Sequence, residues 1–406
     1  MNILPIQKQK VVIIGHSSTL RLGIVRSVAE AGCEITVIVM TGYWRMTKIL
    51  RTYKPFDCFS KYISNVYYSH FDDQEELIRL LLDKCRDDGQ KVIIIPTNDL
   101  STVALDDNIS LLSTHFLFPH ITGRGQSVRY WMDKENQKAL ARSVGLKVPD
   151  ACVVDIRNKA YEIPADITYP CFTKALVSVA GGKTCFNRCD SDAELRRVLD
   201  AIGTKQDVRV LVEDYKTIET EYAVLGFSDG TEVVIPGVVR IDSLSTSHFG
   251  VARTGEIMPA DGFDELLEQY KSFVRRMGFV GVFDIDFYSC GDEFYFSEIN
   301  LRPGGSGYAV TWMGVNLPAM LIRHLRGESI CSMTMRIDSS ASFVNERTCE
   351  DDWCSGAISS SAYQSIIDSA DISFVRDNRD PHPQKIYELR HRLLPIKKIL
   401  KKILIH

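Results

Sequence analysis

The sequence lacks the long apolar runs and the charge excess that define several classes of protein. No stretch approaches the roughly 20 apolar residues of a membrane-spanning helix, and Met1 to Lys10 contains no apolar signal-peptide segment. The 48 basic and 52 acidic residues give a net charge of -4, which argues against a protein that coats nucleic acid. We therefore expect a cytoplasmic protein without a nucleic-acid partner.

Two familiar motifs are also missing. The 11 cysteines include no CxxC pair, and the closest spacings, Cys185/Cys189 and Cys349/Cys354, have no neighbours placed as in a zinc site. We expect reduced thiols, several of them buried. The glycine fingerprint of dinucleotide-binding domains is absent, because the next glycine after Gly15 is Gly23.

The first 122 residues have the pattern of a small α/β domain. Val11 to Ile14 is a short β-branched run, a helical pattern follows it, and Ile35 to Met40 is a second apolar run. With a third buried-type strand at Lys91 to Ile95, these patterns predict a doubly wound domain over residues 1–122. Ligands of such sheets bind beyond the carboxyl ends of the strands. Two polar segments of the sequence fall there: Gly15 to Ser18 and Thr97 to Asp99.

A mixed α+β region follows. Asp133 is a good N-cap for a helix from Lys134 to Val144, which ends before Gly145. Between Tyr169 and Phe186 the pattern is strand, glycine-rich turn, strand. Further elements are predicted as helices from Asp190 to Ile202 and from Leu317 to Leu325, and as a strand from Val208 to Val212. After Ile330 the composition turns polar, which indicates a loosely packed extension.

The most informative segment runs from Phe283 to Gly307. It alternates as two strands about a Gly291-Asp292 turn. Facing positions across a hairpin have a nearly constant sum, and the turn's sum of 583 is one short of that of Asp286 and Glu298, so these two carboxylates should face each other. On this pattern two sets of residues each share one face of a strand: Asp284, Asp286 and Tyr288 on the first, and Phe296, Glu298 and Asn300 on the second.

Opposed carboxylates repel each other, and partial burial raises that cost. A hard cation would neutralise the pair, and two carboxylates with an Asn carbonyl suit magnesium better than zinc. The alternative is the solvated face of an edge hairpin. Arg302 would lie beside the proposed metal, and Pro303-Gly304-Gly305 would let the backbone approach a ligand closely.

Other candidate ligand-binding residues lie upstream. Lys174 ends an apolar strand ahead of Gly181-Gly182-Lys183, a turn that could close over phosphates, although many hairpins contain Gly-Gly. The strand ending at Tyr215 runs into a linker that could pair with an adenine edge, with Glu219 and Glu221 beyond it as acids for ribose hydroxyls. A loop at Ile241 to Gly250 is flanked by three candidates for substrate binding: Arg240, His248 and Arg253.

Together these residues resemble the ATP-grasp ligases. The resemblance implies that Lys134 and Lys174 bind phosphates, that Gly181-Gly182 is the flexible phosphate loop, and that Glu213, Asp214, Tyr215 and Lys216 form the adenine hinge. Glu221 resembles the ribose acid, but it lies one residue further from the hinge than the family pattern, so Glu219 remains an alternative. Asp286, Glu298 and Asn300 match the magnesium ligands in type and spacing, and Arg302 matches the arginine on the substrate side.

The resemblance covers Val11 to Arg326 and implies a domain layout. A pre-ATP-grasp domain at 1–122 would precede a two-lobed ATP-grasp domain at 123–330, with a lid lobe at about 140–205 and a metal-binding lobe at about 206–330. The runs Glu298 to Ser306 and Val310 to Leu317 look most like the D-aspartate ligase branch. Residues 331–406 would be a C-terminal extension without a counterpart in the family.

The resemblance also implies an activity. ATP-grasp ligases transfer the γ-phosphate of ATP to a carboxylate, and an amine then attacks the acylphosphate to form an amide. We therefore expect ATP, two Mg²⁺ ions with Mn²⁺ as a substitute, a small carboxylate such as an amino acid, an amine, and a homodimer. Arg253 is the candidate anchor for the carboxylate or acylphosphate. The alternatives are an enzyme that activates bicarbonate as carboxyphosphate, and a non-catalytic ATP-binding regulator.

The last 17 residues form a basic tail. Pro395 is well placed to begin a helix whose apolar and basic residues lie on opposite faces. The tail either docks on the body of the protein or contacts a membrane surface or an acidic partner. The positive charges within 390–406 are Arg390, Arg392, Lys397, Lys398, Lys401 and Lys402.

Overall fold

The computed structural model describes residues 8–42, 54–123, 126–156, 161–176, 185–203, 209–247 and 250–404, with side chains up to residue 392. Three β-sheets and the helices packed on them account for this chain. The mixed α/β and α+β architecture expected from the sequence is confirmed.

The N-terminal sheet is parallel, with the strand order β3-β2-β1-β4-β5. Its two central β-branched strands, β1 and β4, are buried on both faces, as helices on each side of a parallel sheet require. The strands are β1 (Lys10–Gly15), β2 (Glu34–Thr41), β3 (Ile63–His70), β4 (Val92–Pro96) and β5 (Phe116–Leu117). The helices are α1 (Ser18–Glu30), α2 (Gln74–Lys84), α3 (Asp99–Asp107) and α4 (Ile109–Leu112).

The second sheet is antiparallel and has the order β7-β10-β8-β9. One face packs on the apolar side of a helix through Leu195 and Leu199. The strands are β7 (Ala151–Asp155), β8 (Cys171–Ala175), β9 (Asn187–Cys189) and β10 (Arg209–Asp214). The helices of this part are α5 (Val128–Trp131), α6 (Lys134–Ser143) and α7 (Asp192–Gly203). Asp133 caps α6 as expected, because its side chain accepts from the Glu135 amide.

The third sheet has nine strands in the described chain and runs β16-β15-β11-β13-β14-β17-β18 along its main path. The remaining two strands, β12 and β6 (His120–Ile121), pair with β11 and β15. The path strands and β12 are β11 (Thr220–Asp229), β12 (Val233–Val234), β13 (Val238–Leu244), β14 (Ala252–Met258), β15 (Phe279–Cys290), β16 (Glu293–Asn300), β17 (Ala341–Val344) and β18 (Ile372–Ser373). The helices here are α8 (Asp264–Met277), α9 (Gly307–Trp312) and α10 (Leu317–Leu325).

One hydrophobic core joins the N-terminal sheet to the large sheet. Val11 and Ile13 of β1 belong to the same buried cluster as Leu225 and Val239 of the large sheet. Tyr308 of α9 also belongs to it, and a Cβ built on Gly23 of α1 would lie only 2.8 Å from the Tyr308 Cβ. This packing fixes the carboxyl ends of β1 and β4 relative to the β15/β16 hairpin.

The prediction of a loosely packed extension after Ile330 is wrong. Strand β17 pairs with β14 and with β18, so the extension completes the large sheet. Helices α11 (Glu346–Ser355) and α12 (Ser360–Ser369) follow, and the polar side chains of α11 include buried acids. The polar composition led to the wrong prediction because these acids accept hydrogen bonds from neighbouring segments instead of facing solvent.

The tail helix begins earlier than the sequence indicated. Helix α13 spans Pro381–Leu404, so Pro395 lies inside the helix and not at its first position. Its first half docks on the body: Tyr387 is buried against Phe56, and His391 stacks on Trp353 at 4.9 Å. The side chains of 393–404 lie outside the described part, so contact of the tail with a membrane or an acidic partner stays a prediction. Within the described residues, no helix is both long and apolar enough to span a bilayer.

Candidate functional site

The β15/β16 hairpin has the predicted register at its carboxylates. Asp286 pairs with Glu298 and Asp284 pairs with Asn300 across the two antiparallel strands. Residues in direct register have their side chains on the same face of a sheet. Asp284, Asp286, Glu298 and Asn300 therefore lie on one face.

The register shifts by one residue beyond this group. Phe287 pairs with Phe296, so Ser297 is an extra residue that forms a β-bulge. The bulge reverses the alternation, and Phe296 packs against Phe273 in the hydrophobic core at 5.2 Å between ring centroids. The prediction that Phe296 shares a face with Glu298 is therefore wrong.

Hydrogen bonds link the hairpin's polar side chains. The Asn300 amide nitrogen donates to Asp286 Oδ2 at 3.2 Å, and Arg302 Nη2 donates to Asn300 Oδ1 at 3.0 Å. Lys134 Nζ is paired with Glu298 Oε2. Gln137, one turn after Lys134 in α6, exchanges hydrogen bonds with both backbone groups of Ile299, which fixes α6 against β16.

The acids of the hairpin have opposite pKa shifts. Burial raises the pKa of Asp284 to about 6, with Glu298 and Asp99 adding to the rise and Arg302 opposing it. Burial and then the charges of Asp284 and Glu298 raise the pKa of Asp286. Burial would also raise the pKa of Glu298, but Lys134 outweighs it and holds that pKa below its usual value. The hairpin thus carries more carboxylates than its cations neutralise.

Gly304 lies against this acid group. A Cβ built on Gly304 would be 2.5 Å from the carboxyl carbon of Asp284, whereas one on Gly305 would meet nothing within 4 Å. The backbone at Gly304 therefore approaches Asp284 closely, a residue for which the sequence suggested no role of its own, and the close approach to a ligand stays a prediction. The spacing of Asp284 from Asp286 on one strand was the available signal.

The N-terminal domain contributes to the same site. Arg302 Nε donates to Asp99 Oδ1 at 2.9 Å, which joins α3 to the hairpin. Asn98 lies 3.1 Å from His16 Nδ1, and burial, then Arg21 and Arg302, lower the pKa of His16. The two polar segments that follow β1 and β4 therefore lie together, as expected for a parallel sheet. Arg302 connects the second segment to the β15/β16 hairpin through Asp99.

A second charged group lies on the antiparallel sheet. Glu213 is 4% exposed and accepts from Lys138 at 2.7 Å and from Lys174 through its other oxygen. Burial opposes ionisation of Glu213, but the two lysines lower its pKa to about 2. Burial lowers the pKa of Lys138 to about 8. Sequence analysis did not identify Lys138; its place one turn after Lys134 on α6 was the available signal.

The predicted adenine hinge follows Glu213. The amide groups of Asp214 and Tyr215 donate to the carbonyls of Asp150 and Pro170 at 2.9 and 3.0 Å. An adenine edge would therefore use backbone groups further along the hinge, toward Lys216.

The two ribose candidates differ in position. Glu221 pairs with Tyr288 in β15, two residues from Asp286 and on the same face, and burial raises its pKa. Glu219 precedes the strand and is exposed. The placement favours Glu221.

The two described arginines that are candidates for substrate binding, Arg253 and Arg240, have different surroundings. Arg253 Nη1 pairs with the buried carboxylate of Asp352 at 3.1 Å, and its Nε donates to Ser243. Arg240 pairs with Asp242 and Glu256 near the surface. Four predicted residues lie outside the described part of the chain: Gly181, Gly182, Lys183 and His248.

The donor set fits a hard cation through two carboxylates and an amide oxygen: Asp286, Glu298 and Asn300. Among the residues that the structure describes, no three His, Cys, Asp or Glu side chains group as metal ligands. Lys134 holds one Glu298 oxygen and Arg302 holds the Asn300 oxygen. In this arrangement Lys134 and Arg302 compete with a metal ion for two of the three donor groups.

Residues 139–318 match the ATP-grasp domain family. The chain is 29% identical over 210 residues to D-alanine–D-alanine ligase of Streptococcus pneumoniae (strain Hungary19A-6), which covers 47% of this chain and 59% of that protein. It is 25% identical over 285 residues to formate-dependent phosphoribosylglycinamide formyltransferase of Bacillus subtilis (strain 168), covering 66% of this chain and 68% of that protein.

A solved structure supports the fold. Carboxyaminoimidazole ribonucleotide synthase from Aspergillus clavatus, complexed with ATP, superposes with a TM-score of 0.63 at 17% identity, covering 84% of this chain and 82% of that one. The chain thus contains an ATP-grasp domain, as the sequence indicated. ATP-grasp enzymes bind ATP with Mg²⁺ or Mn²⁺, which agrees with the expected cofactors.

Proposed function

We propose that the protein is an ATP-dependent ligase that joins a small carboxylate to an amine. The observation that carries the proposal is the acid face of the β15/β16 hairpin, where Asp286 opposes Glu298 beside Asn300. A purely structural hairpin gains nothing from opposed, partly buried carboxylates, because their repulsion costs free energy. The similarity to D-alanine–D-alanine ligase supports the carboxylate-amine assignment.

We propose that Lys134 and Lys174 bind the phosphates of ATP. In the structure each lysine pairs with an acid, Lys134 with Glu298 and Lys174 with Glu213. Phosphate oxygens compete for the same ammonium groups, and they carry more charge than one carboxylate. The Glu298 carboxylate then becomes available as a ligand. Gly181-Gly182 remains the proposed phosphate loop, and Glu213 to Lys216 the proposed hinge.

Asp286, Glu298 and Asn300 would hold the magnesium. The ion would supply neutralisation of charge on the phosphates, which is most of what phosphoryl transfer requires. The residues of the chain do the rest by positioning. Arg302, fixed by Asp99, lies where a guanidinium can bind the transferred phosphoryl group or the substrate carboxylate.

The proposed reaction has two steps. A carboxylate oxygen of the first substrate attacks the γ-phosphorus, the bond to the β-phosphate oxygen breaks, and ADP leaves. The amine then attacks the carbonyl carbon of the acylphosphate, phosphate leaves, and the nitrogen loses a proton to give the amide. Arg253 is the proposed anchor for the carboxylate. An amino acid in cell-surface or small-molecule biosynthesis is the proposed substrate class, in line with the resemblance to D-aspartate ligases.

A second candidate activates bicarbonate as carboxyphosphate. The structural likeness to carboxyaminoimidazole ribonucleotide synthase favours it. Dependence of ADP formation on bicarbonate, without any organic carboxylate, would identify this activity. A non-catalytic ATP-binding regulator would bind ATP with magnesium and form no ADP with any substrate; it has no physical need for the opposed acids.

The decisive variant is Glu298→Gln. We expect it to abolish substrate-dependent ADP release across a panel of amino acids and amines, with the circular dichroism spectrum unchanged. Glu293→Gln is the matched control, because Glu293 lies on the same strand but is exposed and pairs with Lys147. ADP release at the wild-type rate in Glu298→Gln would contradict the proposal.

A further inference from the structure

Helix α11 in the C-terminal extension places three buried acids against three different segments. Glu346 accepts from the amides of residues 374 to 376, and Glu350 pairs with His391 of the tail helix. Asp352 faces the opposite way, toward the loop between β13 and β14. Of the three acids, Asp352 is thus the one that contacts this loop, and its carboxylate has no exposed surface.

The Asp352 carboxylate is surrounded by donors from that loop. It accepts from Ser245 Oγ at 2.9 Å, from the Thr246 amide and hydroxyl at 3.1 and 3.0 Å, and from the Ser247 amide at 2.9 Å. Arg253 Nη1 completes the set at 3.1 Å. Burial would raise the pKa of Asp352, but these hydrogen bonds lower it to about 2, so the group is ionised at neutral pH.

The loop continues the strands of the site. Ile241 of β13, the strand that leads into the loop, pairs with Glu221, which in turn pairs with Tyr288 on the acid-bearing face. Ser243 of β13 accepts from Arg253 Nε, so the side chain of this β14 arginine is held both by the neighbouring strand and by α11. A short serine-rich loop has little apolar area to fix it, and the buried carboxylate supplies the missing order.

The other side of α11 is fixed to the N-terminal domain. Arg26 of α1 donates to the carbonyls of Phe374 and Val375, and the amides of the same two residues donate to Glu346. Arg26 also pairs with the buried Asp380. The helix is therefore anchored independently of the loop that Asp352 holds.

We propose that Asp352 is a positioning residue, which holds Ser245 to Ser247 and orients Arg253 for the non-nucleotide substrate. The C-terminal extension is then a required part of the substrate site. The inference rests on the proposed function for the identity of the reaction. The hydrogen bonds to the loop do not depend on it, so the order of the loop can be measured whether or not a substrate is known.

The test compares Asp352→Asn with Glu350→Gln. Both remove a buried charge from α11, but only Asp352 contacts the loop. We expect faster hydrogen exchange at the Thr246 and Ser247 amides in Asp352→Asn alone. We also expect about a tenfold higher KM for the carboxylate, with the Kd for ATP unchanged, the size expected for one lost hydrogen bond to a charged group. Unchanged loop exchange, or equal effects in Glu350→Gln, would overturn the proposal.

Thr246→Val gives a second route if Asp352→Asn folds poorly. It removes one hydroxyl donor from the same carboxylate and leaves α11 intact. A smaller rise of the same KM, with faster exchange at Ser247, is the expected result; no change in either would overturn the positioning role. If no carboxylate supports ADP release, the proposed function fails, while loop exchange and ATP binding still decide the role of Asp352.

Discussion

Asp352 and Asp284 are both buried carboxylates of the large sheet region, and their surroundings differ. Asp352 is enclosed by hydroxyl, amide and guanidinium donors, and its pKa falls to about 2. Asp284 lies beside Asp286 and opposite Asn300, and burial with neighbouring acids raises its pKa to about 6. A carboxylate that stabilises the fold is surrounded by hydrogen-bond donors. A carboxylate that is surrounded by other acids instead indicates a site where a cation or phosphate groups are expected to bind.

Among the variants that test this comparison, Asp286→Asn is expected to have the largest effect. The substitution removes one charge from the acid face while the Asn300 contact can be kept through the amide oxygen. We expect ADP formation to fall by about 1,000-fold, because a proposed ligand of the magnesium ion that neutralises phosphate charge is lost. The free energy of unfolding should rise by about 1 kcal/mol, because like-charge repulsion is relieved. Steady-state kinetics and urea denaturation measure both; lower stability together with lost activity would refute the like-charge explanation.

Asp352→Asn should act in the opposite direction on stability. We expect the free energy of unfolding to fall by roughly 2 kcal/mol at pH 7, because hydrogen bonds to a charged acceptor are weakened. The folded pKa of about 2 lies below the usual aspartate pKa of 3.8, so this stabilisation is present above pH 3.8 and is lost as the pH falls toward 2. Urea denaturation of both proteins at several pH values tests this. A stability difference that stays constant from pH 7 to pH 3 would show that the charge is not responsible.

The smallest expected effect concerns the contact between Gly304 and Asp284. Gly304→Ala places a Cβ against the Asp284 carboxylate, whereas Gly305→Ala meets open space. We expect Gly304→Ala to lower the free energy of unfolding by about 1 kcal/mol and to slow ADP formation, because the carboxylate must shift. Thermal denaturation and turnover of the pair check this. Equal behaviour of the two variants would mean that the contact with Asp284 imposes no constraint.

Sequence reasoning succeeded where the relevant contacts are local. The turn at Gly291-Asp292 brings Asp286 within one position of Glu298, so their approximate pairing could be predicted from the sequence, although a strict count from the turn places Ser297 opposite Asp286. The extra residue at Ser297 could not, because a bulge leaves no distinct composition. The ATP-grasp resemblance was readable because its residues keep a characteristic spacing around this hairpin.

The contacts that were missed join segments far apart in the chain. Asp99 and Arg302 are 203 residues apart, and Lys138 and Glu213 are 75 apart. Nothing in local periodicity links such pairs. The extension was misjudged for a related reason: Glu346 and Asp352 look like surface acids in the sequence, and only the fold supplies the backbone amides that make their burial favourable.

Because of the bulge at Ser297, the direction in which each side chain of β16 projects depends more on the number of residues in the strand than on their identity. With strict alternation, Glu298 and Phe296 would project the same way, and either the acid would enter the aromatic core or the ring would leave it. The extra residue lets the same strand place Phe296 in the hydrophobic core and Glu298 on the acid face. Related proteins should therefore tolerate exchanges of side chains along this ribbon far better than the gain or loss of one residue.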